Sequence, residues 1–201
     1  MAWNTEETKR RLKEAATAEF AARGPHGTTM DRIARRAGIN KERLYNYFGD
    51  KERLFGTVLA DEMAKVAAAV PAEESLRDGD LGEYAGRLFD YHTAHPQLIR
   101  LLHWEALAYG DREVPDEAAR AAHYRDKAGT LAAAQAGGTL AGAPDADHLL
   151  FLLLALAAWW AAVPQVARMV TGADEGSPGE LARRRAAVVA AARRLGGGAG
   201  H

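Results

Sequence analysis

The sequence predicts an all-α protein of about nine helices, and three observations carry that prediction. Apolar residues recur at spacings of three and four along most of the chain, no alternating run bounded by turn residues is long enough for a strand, and short Gly-, Pro- and Asp-containing clusters separate the periodic stretches. The first helix runs from Thr5, an N-cap with Glu6 and Glu7 in its first turn, to Arg23, with Leu12, Ala16 and Phe20 on one face. Gly24-Pro25-His26-Gly27 stops it. The second begins at Thr28 or Thr29 and ends at Gly38, the third spans Lys41 to Tyr47, and Phe48-Gly49-Asp50 precedes a long fourth helix from Lys51 to Val70. Pro71 to Asp80 is polar punctuation before the fifth, Leu81 to Ala94. Pro96 opens the sixth at a first-turn position, where its missing N–H costs nothing, and that helix ends near Gly110. The seventh covers Asp116 to Ala136 and is closed by Gly137-Gly138. The eighth starts near Asp145 and continues to Val170 with a kink at Pro164. Ser177 and Pro178 suit the N-cap and first position of the ninth, which reaches Leu195 before a glycine-rich tail, Gly196 to His201, expected to be disordered.

A chain of 201 residues has room for a small module and a larger domain. The absence of cysteine excludes a disulfide framework and a thiolate zinc site and suits a reducing compartment. Met1 to Lys13 is polar, so no secretory leader is expected, and the apolar run Leu149 to Val163 falls short of the roughly 20 residues that span a membrane. The expected setting is the cytoplasm, with no membrane partner. Charge is divided unevenly: residues 1–55 hold 12 Lys+Arg against 8 Asp+Glu, and the remainder 14 against 19. The basic excess points to a polyanion partner for the N-terminal part alone.

That part contains the most constrained stretch, Thr28 to Phe48. Two short helices that cross steeply need a small residue at the crossing, supplied by Ala34, and a residue tolerant of positive φ in the turn, supplied by Gly38. Ile33, Ile39 and Leu44 would form the core beneath. This is the pattern of a helix-turn-helix, whose second helix enters a major groove while Thr29 and the free N–H groups of the first hold a phosphate. An ordinary helical hairpin with a solvated charged surface is the plain alternative, and it leaves unexplained why turn glycine, crossing alanine and core positions agree. The expected division is a helix-turn-helix domain over residues 1–50, a helical regulatory domain over 51–195 and the tail over 196–201.

Thr-Thr-x-x-x-Ile-Ala-x-x-Ala-Gly-Ile-x-x-x-x-Leu-Tyr-x-Tyr-Phe-x-x-Lys-x-x-Leu-Phe, Thr28 to Phe55, resembles the signature of the TetR family of bacterial repressors. The resemblance implies nine or so helices, a homodimer built on the last two, a small-molecule pocket within helices four to eight, and release from a palindromic operator by an effector. It also implies roles: Thr29, Tyr47 and Lys51 on phosphates, and Lys41, Arg43, Tyr45 and Asn46 on bases or the adjacent backbone. Glu42-Arg43 departs from the small pair that many relatives carry, and Glu42 would repel a phosphate or accept from cytosine N4.

In the body, the sixth helix places Leu98, Leu102, Glu105 and Tyr109 on one stripe with Trp104 on its flank, so Glu105 points inward, to be met by an arginine such as Arg87 or Arg125 or by a ligand. Phe89, Tyr91, His92, Tyr124, Leu131, Gln135, Phe151 and Trp159 are the further pocket candidates, against the plainer reading of aromatics as core. His92, His95 and His103 lack an acidic ligand motif to complete a metal site, and His95 before Pro96 suits a turn, so no metal is expected. The eighth helix is apolar almost all round, and with the ninth it supplies the expected dimer face: Leu149, Leu153, Trp160, Leu181, Val188 and Leu195. There is no phosphate loop, His-Glu-x-x-His or serine in a nucleophile context, so no catalytic residue, cofactor or enzyme activity is expected. A DNA-binding protein whose body meets a protein partner instead of a small molecule is the main rival.

Overall fold

A computed structural model of the chain describes residues 5–72, 75–76, 78–140, 142–173 and 177–197. Among them are ten helices: α1 (Thr5–Gly27), α2 (Met30–Ala37), α3 (Lys41–Phe48), α4 (Lys51–Ala69), α5 (Leu81–Ala94), α6 (Gln97–Tyr109), α7 (Glu117–Ala136), α8 (Ala146–Ala162), α9 (Pro164–Thr171) and α10 (Pro178–Leu195). The protein is all-α, as its sequence predicts, and Ser177 caps α10 by accepting from the Glu180 N–H at 3.3 Å. One predicted helix is two. The chain bends by 86° between α8 and α9. Val163, which precedes Pro164, is driven out of the α region to φ −132° and ψ 61°, so the proline ends one helix and starts the next rather than kinking a single one. Gly196 and Gly197 form a turn after α10, and the rest of the tail lies outside the described residues. No single helix among the described residues is long and apolar enough to cross a membrane.

The chain forms two compact units, Met1–Lys65 with Gln97–Asp116, and Val66–Pro96 with Glu117–His201. Neither division coincides with the sequence-drawn boundary after residue 50, and packing in the first unit gives the reason. Leu12, Ala16 and Phe20 of α1 and Ile33, Leu44, Leu54 and Phe55 are all closed off from solvent, with the Phe20 and Phe55 rings edge to face at 5.2 Å. The start of α4 is therefore part of the head. So is α6: Arg100 Nε and Trp104 Nε1 both donate to the Ala21 carbonyl, at 2.8 and 3.3 Å. The Trp104 ring occupies the space where a side chain at residue 24 would begin, 2.6 Å from an added Cβ, and Gly24 stands at φ 70°, so only glycine fits there.

The second unit is built on α5, which packs against α8 and α10, while α7 packs on α8. Gly82 and Gly86 let α10 close on α5: a Cβ on Gly86 would stand 3.0 Å from Val189 Cγ2, and one on Gly82 would stand 2.8 Å from Arg193 Cγ. Tyr84, Leu88, Phe89, Leu131, Leu149, Leu153, Val188 and Ala192 are among the residues of its core.

Candidate nucleic-acid interface

The interface begins with how α2 and α3 are joined. Gly38 caps α2 in the left-handed region, φ 64° and ψ 34°, and the Ile39 N–H returns to the Ala34 carbonyl at 3.1 Å. Asn40 then caps α3 by accepting from the Glu42 N–H at 3.0 Å. Ala34 is buried at the crossing and Ile33 and Leu44 are fully buried beneath it, as the sequence predicts, whereas Ile39 is only half-buried.

Leu44 is the buried residue of α3, Tyr47 and Phe48 are half-buried, and the first turns of that helix otherwise face outward. Lys41, Glu42, Arg43, Tyr45 and Asn46 are exposed, with the Lys41 ammonium 5.8 Å from the centre of the Tyr45 ring. Together they offer cations, an amide and an aromatic edge, the groups that read bases from a major groove. The phosphate candidates gather at the start of α2. Thr29 is exposed and its Oγ1 accepts from the Arg32 N–H at 3.2 Å, leaving the hydroxyl proton to donate outward beside the free N–H groups of the helix. Lys51 Nζ donates to the Thr28 carbonyl at 3.2 Å, which brings the ammonium to the same corner. Tyr47 is half-buried with Lys9 Nζ 5.8 Å from its ring centre.

Three supporting residues escaped the sequence reading. Glu19 of α1 is 6 % exposed and gathers Thr28 Oγ1 at 3.2 Å, Arg36 Nη1 at 3.3 Å and Arg23 Nε at 3.4 Å, so one buried carboxylate ties both ends of α2 to α1. Arg11 Nη2 donates to the last carbonyl of α2, that of Ala37, at 2.7 Å. Lys9 is the third. Glu19 was legible, because it follows Leu12, Ala15 and Ala16 on the inward stripe of α1. Arg11 and Lys9 carry no comparable signal.

The pocket candidates are dispersed. Trp104 and Glu105 belong to the first unit, where Trp104 packs on Gly24 and Glu105 is buried, and Arg87, one suggested partner of Glu105, donates instead to the Ala69 carbonyl at 3.1 Å. Phe89 and Leu131 lie in the core of the second unit, with Tyr91 and Tyr124 packed against it. Gln135 Nε2 donates to the Pro144 carbonyl at 2.6 Å. His92 is buried there too, its Nδ1 without a partner, and burial depresses its titration to about 4. His95 caps α5, its N–H on the Tyr91 carbonyl at 2.8 Å.

On α8 burial divides the expected residues differently from the sequence reading. Leu149, Leu153 and, on α10, Val188 are enclosed in the chain's own core, with Trp160 and Leu195 packed against it and Leu181 half-buried. Phe151 and Trp159, expected inside a pocket, are 73 % and 59 % exposed. A helix apolar on every side gives no periodic clue to which side turns inward, and Leu149, Leu150, Leu153 and Ala157 take the core.

Comparison with known proteins agrees with this geometry. Residues 12–58 match the family described as bacterial regulatory proteins, tetR family, and residues 80–194 match the tetracyclin repressor-like C-terminal domain. The HTH-type transcriptional repressor SCO4008 of Streptomyces coelicolor is 45% identical over 175 residues, covering 87% of this chain and 89% of the relative. The HTH-type transcriptional regulator RutR of Escherichia coli is 31% identical over 82% of this chain and 79% of its own. The crystal structure of the putative transcriptional regulator SCO4942 from Streptomyces coelicolor superimposes with a TM-score of 0.79 at 34% identity, covering 94% and 97% of the two chains. With the helix-turn-helix, its outward-facing α3 and these likenesses in hand, the chain belongs to the TetR family of DNA-binding transcriptional regulators, a family without enzyme activity.

Proposed function

We propose that this protein is a repressor that binds a palindromic operator as a homodimer and leaves it when the second unit takes up a small molecule. The observation that carries the DNA half is α3, which buries Leu44 and turns Lys41, Glu42, Arg43, Tyr45 and Asn46 outward beside the phosphate corner formed by Thr29 and Lys51, with Tyr47 at the end of α3. Phosphate contacts fix position and the base contacts of α3 give the sequence preference.

One head reads only a few base pairs, so useful specificity needs two. Support for the second copy comes from Phe151, Leu152 and Trp159 on α8 and Met169 and Val170 on α9, large apolar side chains left exposed on the single chain. Burying them against a two-fold mate would set two recognition helices about one DNA turn, roughly 34 Å, apart. An effector that prefers a different spacing then weakens DNA binding, and DNA weakens effector binding by the same factor.

Selection of duplexes from a random library by the purified protein at near-physiological salt tests the reading. A recovered palindrome, bound by wild type and lost with Tyr47→Ala and Lys51→Ala, is the expected result. A single half-site without symmetry would contradict the dimer, and release by a protein from the same cell but by no small molecule would favour a protein-regulated reader.

A further inference from the structure

The second unit contains a cleft of about 420 Å³ between Ala67, Pro71 and Ala72, at and beyond the end of α4, and His123, Asp126, Lys127 and Thr130 of α7. Lys127 is half-buried there, and among the described residues its ammonium has neither an ion-pair nor a hydrogen-bond partner. Burial alone pushes its titration below the usual lysine range. His123 beside it is lowered as well, first by burial and then by the Lys127 charge, which leaves a neutral imidazole next to the ammonium at neutral pH. Asp126 is exposed and its charge acts on His123, opposing the lowering there, not on Lys127, while Thr130 Oγ1 is turned back to the Asp126 backbone carbonyl at 3.3 Å. A half-buried cation without a partner is costly unless something supplies the opposite charge, and a perturbed group in a cleft is where a ligand is to be sought.

We propose that this cleft is the anion subsite of the effector pocket, and that the effector carries one carboxylate, paired with Lys127, on an apolar body lying along Ala67, Pro71 and Ala72. The proposal rests on the reading that the second unit takes a small molecule. A single carboxylate fits better than a phosphate dianion, because the lining offers one ammonium and no arginine fork. Asp126 at the exposed side discourages a second negative group. The volume suits a molecule of small-ligand size.

The probes are para-fluorobenzoate and its uncharged counterpart para-fluorobenzamide, followed by fluorine NMR on the full chain at fixed ionic strength. Wild type is expected to bind the carboxylate saturably with a Kd of about 1 mM, at least about tenfold more tightly than the amide. Lys127→Met is expected to remove that preference without lowering the unfolding midpoint, since it deletes an unpaired half-buried charge, and Lys127→Arg is expected to keep it. Equal affinity for the two probes, undiminished carboxylate binding by Lys127→Met, or no saturable binding at about 10 mM carboxylate would overturn the proposal. A parallel assay with operator DNA separates the two levels. Lys127-dependent binding that leaves DNA bound keeps the subsite and removes the effector reading, whereas DNA release equally effective in Lys127→Met keeps the effector reading and removes the subsite.

Discussion

The two units differ in how far their buried polar groups are joined. In the first, inward polar groups are joined: Glu19 collects Thr28, Arg23 and Arg36, Glu62 receives Gln97 Nε2 at 3.0 Å and Lys65 Nζ at 2.6 Å, and the Ala21 carbonyl receives both Arg100 and Trp104. In the second, the buried Glu180 is paired with Arg184 Nε at 2.8 Å and Arg183 Nη2 at 2.7 Å, but among the described residues Tyr84 Oη, His92 Nδ1 and Arg184 Nη2 are buried without partners and Lys127 is half-buried without one. A DNA reader must hold a short helix in one orientation, and satisfied polar ties do that. Under the proposed function, groups whose partners are still to come suit a unit that takes up a ligand.

Glu19 is where this contrast breaks most visibly. Glu19→Ala leaves Thr28 Oγ1 buried alone and frees α2 from α1, while Arg36 and Arg23, each about half exposed, return to water, so stability should fall by about 3 kcal/mol in denaturant unfolding, and operator affinity should fall beyond the loss of folded protein. Glu19→Gln, which keeps the shape and the hydrogen bond to Thr28, should recover part of both.

Gly24→Ala comes next. A methyl group 2.6 Å from the Trp104 ring, on a backbone at φ 70°, combines overpacking with left-handed strain, and a loss of about 3 kcal/mol is expected together with a change in Trp104 emission. Unchanged stability would mean that α6 is not held to the head through this contact.

The second unit gives a pH test. His92 titrates near 4 in the folded chain because burial opposes its charge, against about 6.5 when unfolded. Between those values the unfolded chain binds a proton that the folded chain does not, so stability falls as pH falls from about 6.5 to about 4, by up to about 3 kcal/mol. His92→Phe should flatten the dependence over that window in unfolding curves collected at successive pH values.

The smallest effect expected is at Gly129, in the interior of α7 with open space around an added Cβ. Gly129→Ala should stabilise by about 0.5 to 1 kcal/mol, the opposite sign from Gly24→Ala. Paired thermal scans of the two variants would show whether local packing, rather than glycine content, governs the two units.

What the sequence revealed follows the same divide. The head was legible to the residue at Ala34, Gly38 and Leu44, because a steep helix crossing and a left-handed turn admit few residue types and the spacing repeats that constraint. The start of α10 was legible because a cap and a proline mark it, at Ser177-Pro178. The break at Val163 was underestimated as a kink, since a proline reports that the hydrogen-bond ladder fails but not how far the chain turns afterwards. Faces of α8 were not legible at all, because every side is apolar and only the tertiary packing chooses among them. Nor was the place of Trp104, whose partner is the carbonyl of a residue 83 positions away.

The central claim, that the outward face of α3 reads sequence while Lys51 only positions the head, is tested most directly by titrating wild type, Arg43→Ala and Lys51→Ala against the selected operator and against base-substituted copies over a range of salt. The account predicts that Lys51→Ala weakens all duplexes alike and lowers the salt slope by about 1, while Arg43→Ala loses about tenfold or more on the operator and relaxes the preference at one base position. Uniform weakening by Arg43→Ala, with discrimination among duplexes intact, would contradict it.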